Sequence, residues 1–253
     1  MDKLEELKRD TAILNLFSYE DYKNSSQELK LEKIRLLNEY YKLKYGDLQK
    51  LPIYIDIDGV TLDTMNLAKK LLYIQCGIDY DKKDRENVEE QEIIANFFKL
   101  LDWKRLLEDS NEINKSIAFI KLINESSIYS PIMYSATNSD KEKREKIIYF
   151  KSKIPDVQLK FIQACSPKIC TNNSSVLIDD DNFNLINWNG YPIHFDSNIP
   201  TDFPNINDLG ELYYLFYRNP TNPKTFIVKE GLYDKLVRLE DIKTKKITWK
   251  KRI

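Results

Sequence analysis

The sequence is poor in the residues from which most nucleotide-binding loops and histidine-based catalytic sites are built. It contains six glycines, three cysteines and a single histidine, His194. It has neither a GxxxxGK[ST] nor a GxGxxG motif, so the two common glycine-rich phosphate loops are absent. A single histidine excludes multi-histidine metal sites, and because His194 is expected to be structural it also argues against a Ser-His-Asp triad. Any catalysis is therefore left to carboxylates, hydroxyls and lysines.

The chain also lacks an excess of one charge and a long apolar run. Lys plus Arg number 39 and Asp plus Glu number 40. This balance argues against a nucleic-acid or membrane partner, and no run approaches the roughly 20 apolar residues of a membrane span. The charged N-terminus, "MDKLEELKRD", lacks the apolar segment of a secretory signal. The odd set of Cys76, Cys165 and Cys170 favours reduced thiols, so a cytoplasmic protein is expected.

Short apolar segments alternate with helical segments through the middle of the chain. Strands are predicted over 53–57, 130–136, 158–164, 175–179 and 191–196, and helices over 140–153 and 182–188. Such alternation is typical of a mostly parallel sheet with helices on both faces. The predicted class is therefore α/β and Rossmann-like, with an inserted α-helical cap.

The length allows one large domain with a smaller insert. Residues 1–47 are predicted to form an N-terminal helical extension. The core is assigned to 48–63 and 128–204. Residues 64–127 carry apolar side chains at helical spacing and are assigned to the cap. Residues 205–253 have no clear period and are treated as a C-terminal extension.

Four predicted strand ends, or the segments that follow them, carry polar side chains. These are Asp56 and Asp58, then Ser135 with Thr137, then Lys168, and finally Asp179, Asp180 and Asp181. Ligands of parallel sheets bind beyond the carboxyl ends of the strands, so these groups are expected to converge. Converging carboxylates need a cation, and hard oxygen ligands select Mg²⁺. A lysine and a hydroxyl beside that cation suit the oxygens of a phosphoryl group.

The order Asp-x-Asp, hydroxyl, Lys, Asp-Asp resembles the haloacid dehalogenase superfamily of phosphatases. The stretches "DIDGVTLD" (56–63) and "VLIDDDNFNLINWNGYPIHFDSN" (176–198) are similar to those of the cytosolic 5′(3′)-deoxyribonucleotidases, the type C 5′-nucleotidases. The resemblance covers roughly residues 50–200, and both terminal extensions fall outside it. It implies a magnesium-dependent phosphomonoesterase that hydrolyses (deoxy)nucleoside monophosphates through an aspartyl-phosphate intermediate.

The resemblance also implies roles for individual residues. Asp56 would be the nucleophile, and Asp58 would be the general acid and then the general base. Mg²⁺ would be held by the Asp56 carboxylate, the Asp58 backbone carbonyl and Asp180. The remaining implied roles are Asp179 near the metal and Ser135 and Lys168 on the phosphate, with Thr137 as the alternative hydroxyl. Asp181 departs from the family pattern, in which that position is usually aromatic.

Several side chains have more than one interpretation. Phe97, Phe98 and Trp103 lie at helical spacing in the cap, where they either form its core or contact the base of a substrate. His194 is expected to be structural. The lysine runs at 141–153 and 243–251 are expected to be solvated faces.

Three other functions fit parts of the pattern. A phosphatase acting on nucleic-acid ends would use the basic tail "KTKKITWKKR", although the near-zero net charge argues against it. A receiver-type signalling domain uses the same residue types, but its lysine comes last, whereas Lys168 precedes the Asp pair. A non-catalytic phosphate-binding module of the same fold is the third, although every expected catalytic position is filled. The sequence makes no prediction of base, sugar or oligomeric state.

Overall fold

A central sheet organises the protein. The structure, a computed structural model, describes residues 18–45, 49–84, 86–169, 175–196, 203–218, 225–230 and 233–238. The strands of the sheet are β1 (Leu51–Ile55), β2 (Tyr129–Thr137), β3 (Gln158–Gln163), β4 (Val176–Asp179), β5 (Tyr191–Phe195) and β6 (Asn205–Ile206). They pair in the order β3-β2-β1-β4-β5-β6, and every pair is parallel.

Helices cover the sheet and form the insert. They are α1 (Tyr19–Lys23), α2 (Gln27–Tyr45), α3 (Thr64–Cys76), α4 (Val88–Leu100), α5 (Trp103–Asp109), α6 (Ser116–Glu125), α7 (Asp140–Lys153), α8 (Asn182–Ile186) and α9 (Leu212–Leu215). Short 3₁₀ helices occupy Tyr80–Lys82 and Leu209–Glu211. An antiparallel sheet of β7 (Phe216–Arg218), β8 (Thr225–Glu230) and β9 (Tyr233–Arg238) follows.

Alternation along β1 shows why this sheet is buried on both faces. Ile53 and Ile55 pack into the main core, whereas Tyr54 packs on the opposite face beside Leu185 and Trp188. Successive side chains of a strand point to opposite faces, so an apolar strand needs a cover on each side. The Rossmann-like α/β class predicted from the sequence is confirmed.

Strand β1 ends earlier than predicted. Its last residue is Ile55, so Asp56 and Asp58 lie on the loop that follows the strand and not within it. Helix α7, by contrast, begins and ends where the sequence predicts. The Ser139 hydroxyl caps that helix by accepting a hydrogen bond from the Glu142 backbone N–H at 3.2 Å.

The insert contains two differently packed parts. Helices α3, α4 and α5, here called the cap, share a hydrophobic cluster of their own. Helix α6 falls within the predicted cap range of 64–127, yet it packs into the main core. Its buried residues there are Ile117, Phe119, Ile120 and Ile123. Periodicity places apolar residues on one stripe of a helix but does not say which cluster receives that stripe.

The two chain segments that connect the core to the cap lie side by side. Leu62 and Glu112 form an antiparallel bridge. The Asp63 N–H donates to the Asn111 carbonyl at 2.9 Å, and the Ile113 N–H donates to the Thr61 carbonyl at 3.1 Å. We call this pairing of residues 61–63 with 111–113 the crossing ribbon. The chain therefore enters and leaves the cap at one point.

Helices α1 and α2 contact the segment that follows β6. The Tyr22 hydroxyl donates to Asp208 at 2.5 Å, and the Lys30 ammonium lies 2.8 Å from the same carboxylate. Ile206 and Leu209 belong to the main core, so the range predicted as a C-terminal extension begins with core residues. Residues 1–17 and the basic run at 243–251 lie outside the described residues.

Two findings concern the cysteines and the membrane prediction. Cys76 and Cys165 are exposed free thiols, and Cys170 lies outside the described residues. The cytosolic location stays a prediction. Within the described ranges, no helix combines the length and apolarity that crossing a bilayer requires.

Candidate active site

The sheet order brings the predicted site residues to one edge. Strands β2, β1 and β4 are neighbours, and the chain order reverses between β1 and β4. Asp56 follows β1, Ser135 lies near the end of β2, and Asp179 ends β4. A reversal of strand order opens a crevice beyond the carboxyl ends of the strands, where ligands bind. Parallel topology alone thus assembles residues that are far apart in sequence.

Three carboxylates form a compact cluster in this crevice. Oxygen atoms of Asp56, Asp179 and Asp180 all lie within 4.8 Å of one another. The Asp56 side chain is largely buried and Asp179 has no exposed surface. Like charges at this spacing repel strongly in a poorly solvated site, so the cluster is suited to a cation with hard oxygen ligands.

Burial and mutual repulsion perturb the proton affinities of this cluster. Burial raises the pKa of the Asp56 carboxyl well above its ordinary value, and the charge of Lys168 offsets only part of that effect. Burial, reinforced by the charge of Asp179, raises the pKa of Asp180 to about 7. Without a cation, the cluster therefore retains protons that a free carboxylate would lose.

Gly59 permits the close approach of the first loop to Asp180. Its φ is +83°, in the left-handed region, and a Cβ atom there would lie 2.1 Å from the Asp180 Oδ2 atom. Any other residue would therefore both strain the backbone and push Asp180 away from the cluster. The Asp-Gly sequence is a requirement of the site as well as a turn signal.

Lys168 joins two of the three carboxylates. Its ammonium lies 2.7 Å from Asp56 Oδ1 and 2.7 Å from Asp179 Oδ2, and its side chain is buried. Burial alone would lower the pKa of Lys168, but the attraction of Asp56 and Asp179 outweighs it and the pKa is raised. The lysine therefore remains charged beside the nucleophile that the sequence predicts.

Asn184, which sequence reasoning missed, forms hydrogen bonds with both Asp179 and Lys168. Its amide donates to both oxygens of Asp179, at 3.1 and 3.2 Å, and its carbonyl oxygen accepts from the Lys168 backbone N–H at 3.3 Å. Asp181 caps the start of α8, where its carboxylate accepts from the Phe183 N–H at 2.9 Å. In the "DDDNFN" stretch (179–184), Asp181 and Asn184 thus stabilise the local structure, whereas Asp179 and Asp180 are the candidate cation ligands.

Asp58 is held by three donors. Its Oδ2 atom lies 2.6 Å from the Lys146 ammonium and 3.0 Å from the Ser135 hydroxyl, while Oδ1 accepts from the Thr64 hydroxyl at 2.6 Å. Burial on its own would raise the pKa of Asp58, but Lys146 outweighs it and the pKa lies below the ordinary value. Asp58 is thus ionised and fixed in one rotamer.

Lys146 corrects the prediction that the lysine run at 141–153 is a solvated face. Its side chain has no exposed surface, and its ammonium lies 2.7 Å from Glu142 and 2.9 Å from Ser135. One signal in the sequence could have found it. Glu142, Lys146 and Phe150 recur every four residues and form the buried stripe of α7. A lysine on the stripe that ends in a core phenylalanine faces inward.

The two candidate hydroxyls of β2 have different surroundings. Ser135 contacts Asp58 and Lys146, as described above. The Thr137 hydroxyl lies 3.4 Å from the Ile162 carbonyl, towards the next strand. They are two positions apart on the same face of β2, but only Ser135 reaches Asp58, the predicted acid and base.

The three predicted aromatic residues of the cap line two different cavities. All three predicted contact residues are buried in the cap cluster. Phe98 and Trp103 also line a cavity of about 480 Å³ above the acidic cluster, whereas Phe97 lines a groove on the other side of the cap. The cavity wall further includes Tyr80, Lys83 and Gln91, which sequence reasoning did not select. Contact of any of these residues with a substrate stays a prediction.

The known proteins that are similar to this chain share little sequence identity with it. No family model matches the chain, and no curated protein matches it. One similar solved structure is a HAD-superfamily hydrolase, subfamily IA, variant 1, from Geobacter sulfurreducens. The alignment covers 66% of this chain and 100% of that chain, with 9% sequence identity and a TM-score of 0.45. Another is a haloacid dehalogenase-like family hydrolase from Xanthomonas campestris, with 12% identity, coverage of 64% and 92%, and a TM-score of 0.36.

Proposed function

We propose that the protein is a magnesium-dependent phosphomonoesterase of the haloacid dehalogenase type. The observation that carries this proposal is the buried cluster of Asp56, Asp179 and Asp180, with Lys168 bridging two of its members and Asp58 beside it. Oxygen ligands, a fixed cation and a separate acid-base carboxylate are the parts that phosphoryl transfer requires. The motif order in the sequence supports the same chemistry.

In the first step, an oxygen of the Asp56 carboxylate attacks the phosphorus of the ester, and the bond from phosphorus to the leaving oxygen breaks. Asp58 gives a proton to that oxygen. Lys168 lies beside the attacking carboxylate and stabilises charge on the transferred group. Mg²⁺, held by Asp56 and Asp180, would neutralise charge on the phosphoryl oxygens. The product is an aspartyl-phosphate and a free alcohol.

In the second step, Asp58 takes a proton from water, whose oxygen attacks phosphorus while the bond to Asp56 breaks. Lys146 keeps Asp58 ionised, which is the state that this step needs. The first step needs the protonated acid. The negative charge of an incoming phosphate favours that form, because a like charge raises the pKa of a carboxyl group.

We further propose (deoxy)nucleoside monophosphates as the substrates. The resemblance of residues 56–63 and 176–198 supports this class, as does a cavity of about 480 Å³ with Tyr80 and Phe98 in its wall. Cavities of this size hold ligands as large as a nucleotide. A base could then lie against the cap while its phosphate meets Lys168.

The test is release of inorganic phosphate from a panel of esters. We expect hydrolysis of dUMP or dTMP with Mg²⁺, none with a chelator, and none by Asp56→Asn. The kcat/KM for these nucleotides should exceed that for glucose 6-phosphate and phosphoserine. A preference for either non-nucleotide would contradict the substrate class, and full activity in the chelator would contradict the metal requirement.

A further inference from the structure

Two lysines line the cavity above the acidic cluster. Among the residues that the structure describes, the lysines in its wall are Lys168, on the core side, and Lys83, on the cap side. Lys168 is occupied by Asp56 and Asp179. Lys83 follows the 3₁₀ helix Tyr80–Lys82 and is only partly buried. Lys83 takes no part in the ion pairs of the acidic cluster and has no role in the steps above.

The ammonium of Lys83 rests on an aromatic ring. Its Nζ atom lies 3.1 Å from the centroid of the Tyr80 ring. Tyr80 is itself packed against Phe98, with ring centroids 6.0 Å apart and the planes at 79°. A cation over a ring face is attracted by the ring quadrupole, and the packed ring limits where the ammonium can go. The charge is therefore held at the cavity wall.

Among the residues that the structure describes, Lys83 has no acidic partner, although it lies in an acidic segment. Asp79 pairs with Lys82 at 3.0 Å, and Asp81 pairs with Lys69 at 2.7 Å. Within the described ranges, no carboxylate forms an ion pair with Lys83. Neighbouring carboxylates thus take other lysines and leave this positive charge available to a ligand in the cavity.

We propose that Lys83, on the cap side of the cavity, binds a second anionic group of the substrate, distinct from the phosphate that is cleaved beside Lys168. This inference rests on the proposed phosphatase function and narrows its substrate class. The substrates it favours are nucleotides that carry a further phosphate or carboxylate. A monophosphate with an uncharged base leaves Lys83 without a partner, whereas a nucleotide with two separate anionic groups engages both Lys83 and Lys168.

Two matched substrate pairs test the proposal and separate the two anions. Thymidine 3′,5′-bisphosphate differs from dTMP by one phosphate, and orotidine 5′-monophosphate differs from UMP by one carboxylate. The proposal expects the wild type to prefer the more anionic member of at least one pair by about tenfold in kcat/KM, the scale of one charge-assisted contact. The pair that shows the preference identifies the anion.

Three variants assign that preference to the charge of Lys83. Lys83→Gln and Lys83→Met should both abolish it by lowering kcat/KM for the more anionic member to the value for dTMP or UMP, and the Met side chain keeps an apolar stem over Tyr80. Lys82→Gln is the matched control, because Lys82 is adjacent but exposed and paired with Asp79. It should behave as the wild type. No preference in either pair, or a preference that survives Lys83→Met, overturns the proposal.

A binding measurement separates this inference from the proposed function. Asp56→Asn lacks the nucleophile, so its affinity for each member of a pair can be measured by calorimetry without turnover. Extra affinity for the more anionic member that disappears in Asp56→Asn/Lys83→Met supports the inference even if the wild type cleaves no ester. Equal affinities of the two variants for that member contradict it, even if the wild type is an active phosphatase.

Discussion

The ammonium of Lys146 lies 2.6 Å from Asp58 Oδ2 and 2.7 Å from Glu142 Oε1, and its side chain has no exposed surface. The ring of Trp103, on the cap, lies 5.0 Å from the same ammonium. A helix after β2 therefore supplies the counter-ion of the predicted acid-base residue, and the cap covers that counter-ion. Removing one member of such a buried group costs more than the pair contributes, because the partner is left charged and desolvated.

Lys146→Met should therefore destabilise the fold by about 3–5 kcal/mol and lower activity, because it leaves the buried carboxylates of Glu142 and Asp58 without their counter-ion. Adding Glu142→Gln to Lys146→Met should restore part of the stability but not the activity. Lys143→Met, on the exposed face of the same helix, should change neither. Urea unfolding and phosphate release measure the two effects. Full activity of the single variant would contradict the assigned contact.

Asp56→Asn and Asp180→Asn should fail in different ways. Asp56 is both nucleophile and ligand in the proposed mechanism, so its amide variant should be inactive at any Mg²⁺ concentration. Asp180→Asn removes charge from the cluster, and excess Mg²⁺ should partly restore its activity. The control is Asp156→Asn, on an exposed turn. A Mg²⁺ titration of initial rates distinguishes the variants, and rescue of Asp56→Asn would exclude it as the nucleophile.

Asp58→Asn should slow substrates in proportion to their need for a proton on the leaving oxygen. A general acid contributes about 10²–10⁴-fold, and alkyl phosphates need it more than p-nitrophenyl phosphate does. We expect the larger loss of kcat/KM on dTMP. Equal losses on the two esters would be inconsistent with the acid role.

Metal affinity should depend on pH near neutrality. Burial and Asp179 raise the pKa of Asp180 to about 7 in the metal-free protein, and metal binds only the ionised form. The apparent Mg²⁺ affinity should therefore weaken as pH falls below about 7, by up to about tenfold per unit for one proton. In Asp180→Asn this dependence should be flatter. Calorimetric titrations between about pH 6 and about pH 8 test it.

Asp208→Asn should destabilise the protein without touching the site. Asp208 accepts from the Tyr22 hydroxyl and pairs with Lys30, all largely buried, so the expected cost is about 3–5 kcal/mol. The exposed pair of Glu28 with Lys115 provides the control, since Glu28→Gln should leave the stability nearly unchanged. Thermal unfolding measures both. Equal losses would show that the contacts of Asp208 with Tyr22 and Lys30 contribute no more than an exposed pair.

The features predictable from sequence were those encoded by local pattern. Apolar runs such as Ile53 to Ile55 gave the strands, because a parallel sheet buried on both faces needs continuous apolar segments. Convergence of Asp56, Ser135, Lys168 and Asp179 followed from one rule about strand ends. That rule needs only chain order, so the acidic cluster was within reach of sequence reasoning.

The missed features depend on which partner a residue meets. Glu142 and Lys146 are spaced i,i+4, which is also the spacing of an ordinary surface ion pair. Their charges alone therefore predicted that both side chains are exposed to solvent. Helix α6 looks like any amphipathic segment, and only the chain path shows that it joins the main core and not the cap. Lys83 stood out only once its acidic neighbours were seen to be paired with other lysines.

The crossing ribbon has a consequence for folding kinetics. Strands β1 and β2 are adjacent in the sheet, but the whole insert separates them in sequence, and closing so long a loop costs entropy and slows folding. Leu62 pairs with Glu112 in the folded protein, and we expect this pairing to bring the two ends of the cap together before those strands meet. Once the ribbon has formed, the loop that remains to be closed is short. A substitution that weakens the ribbon should thus slow refolding more than it accelerates unfolding.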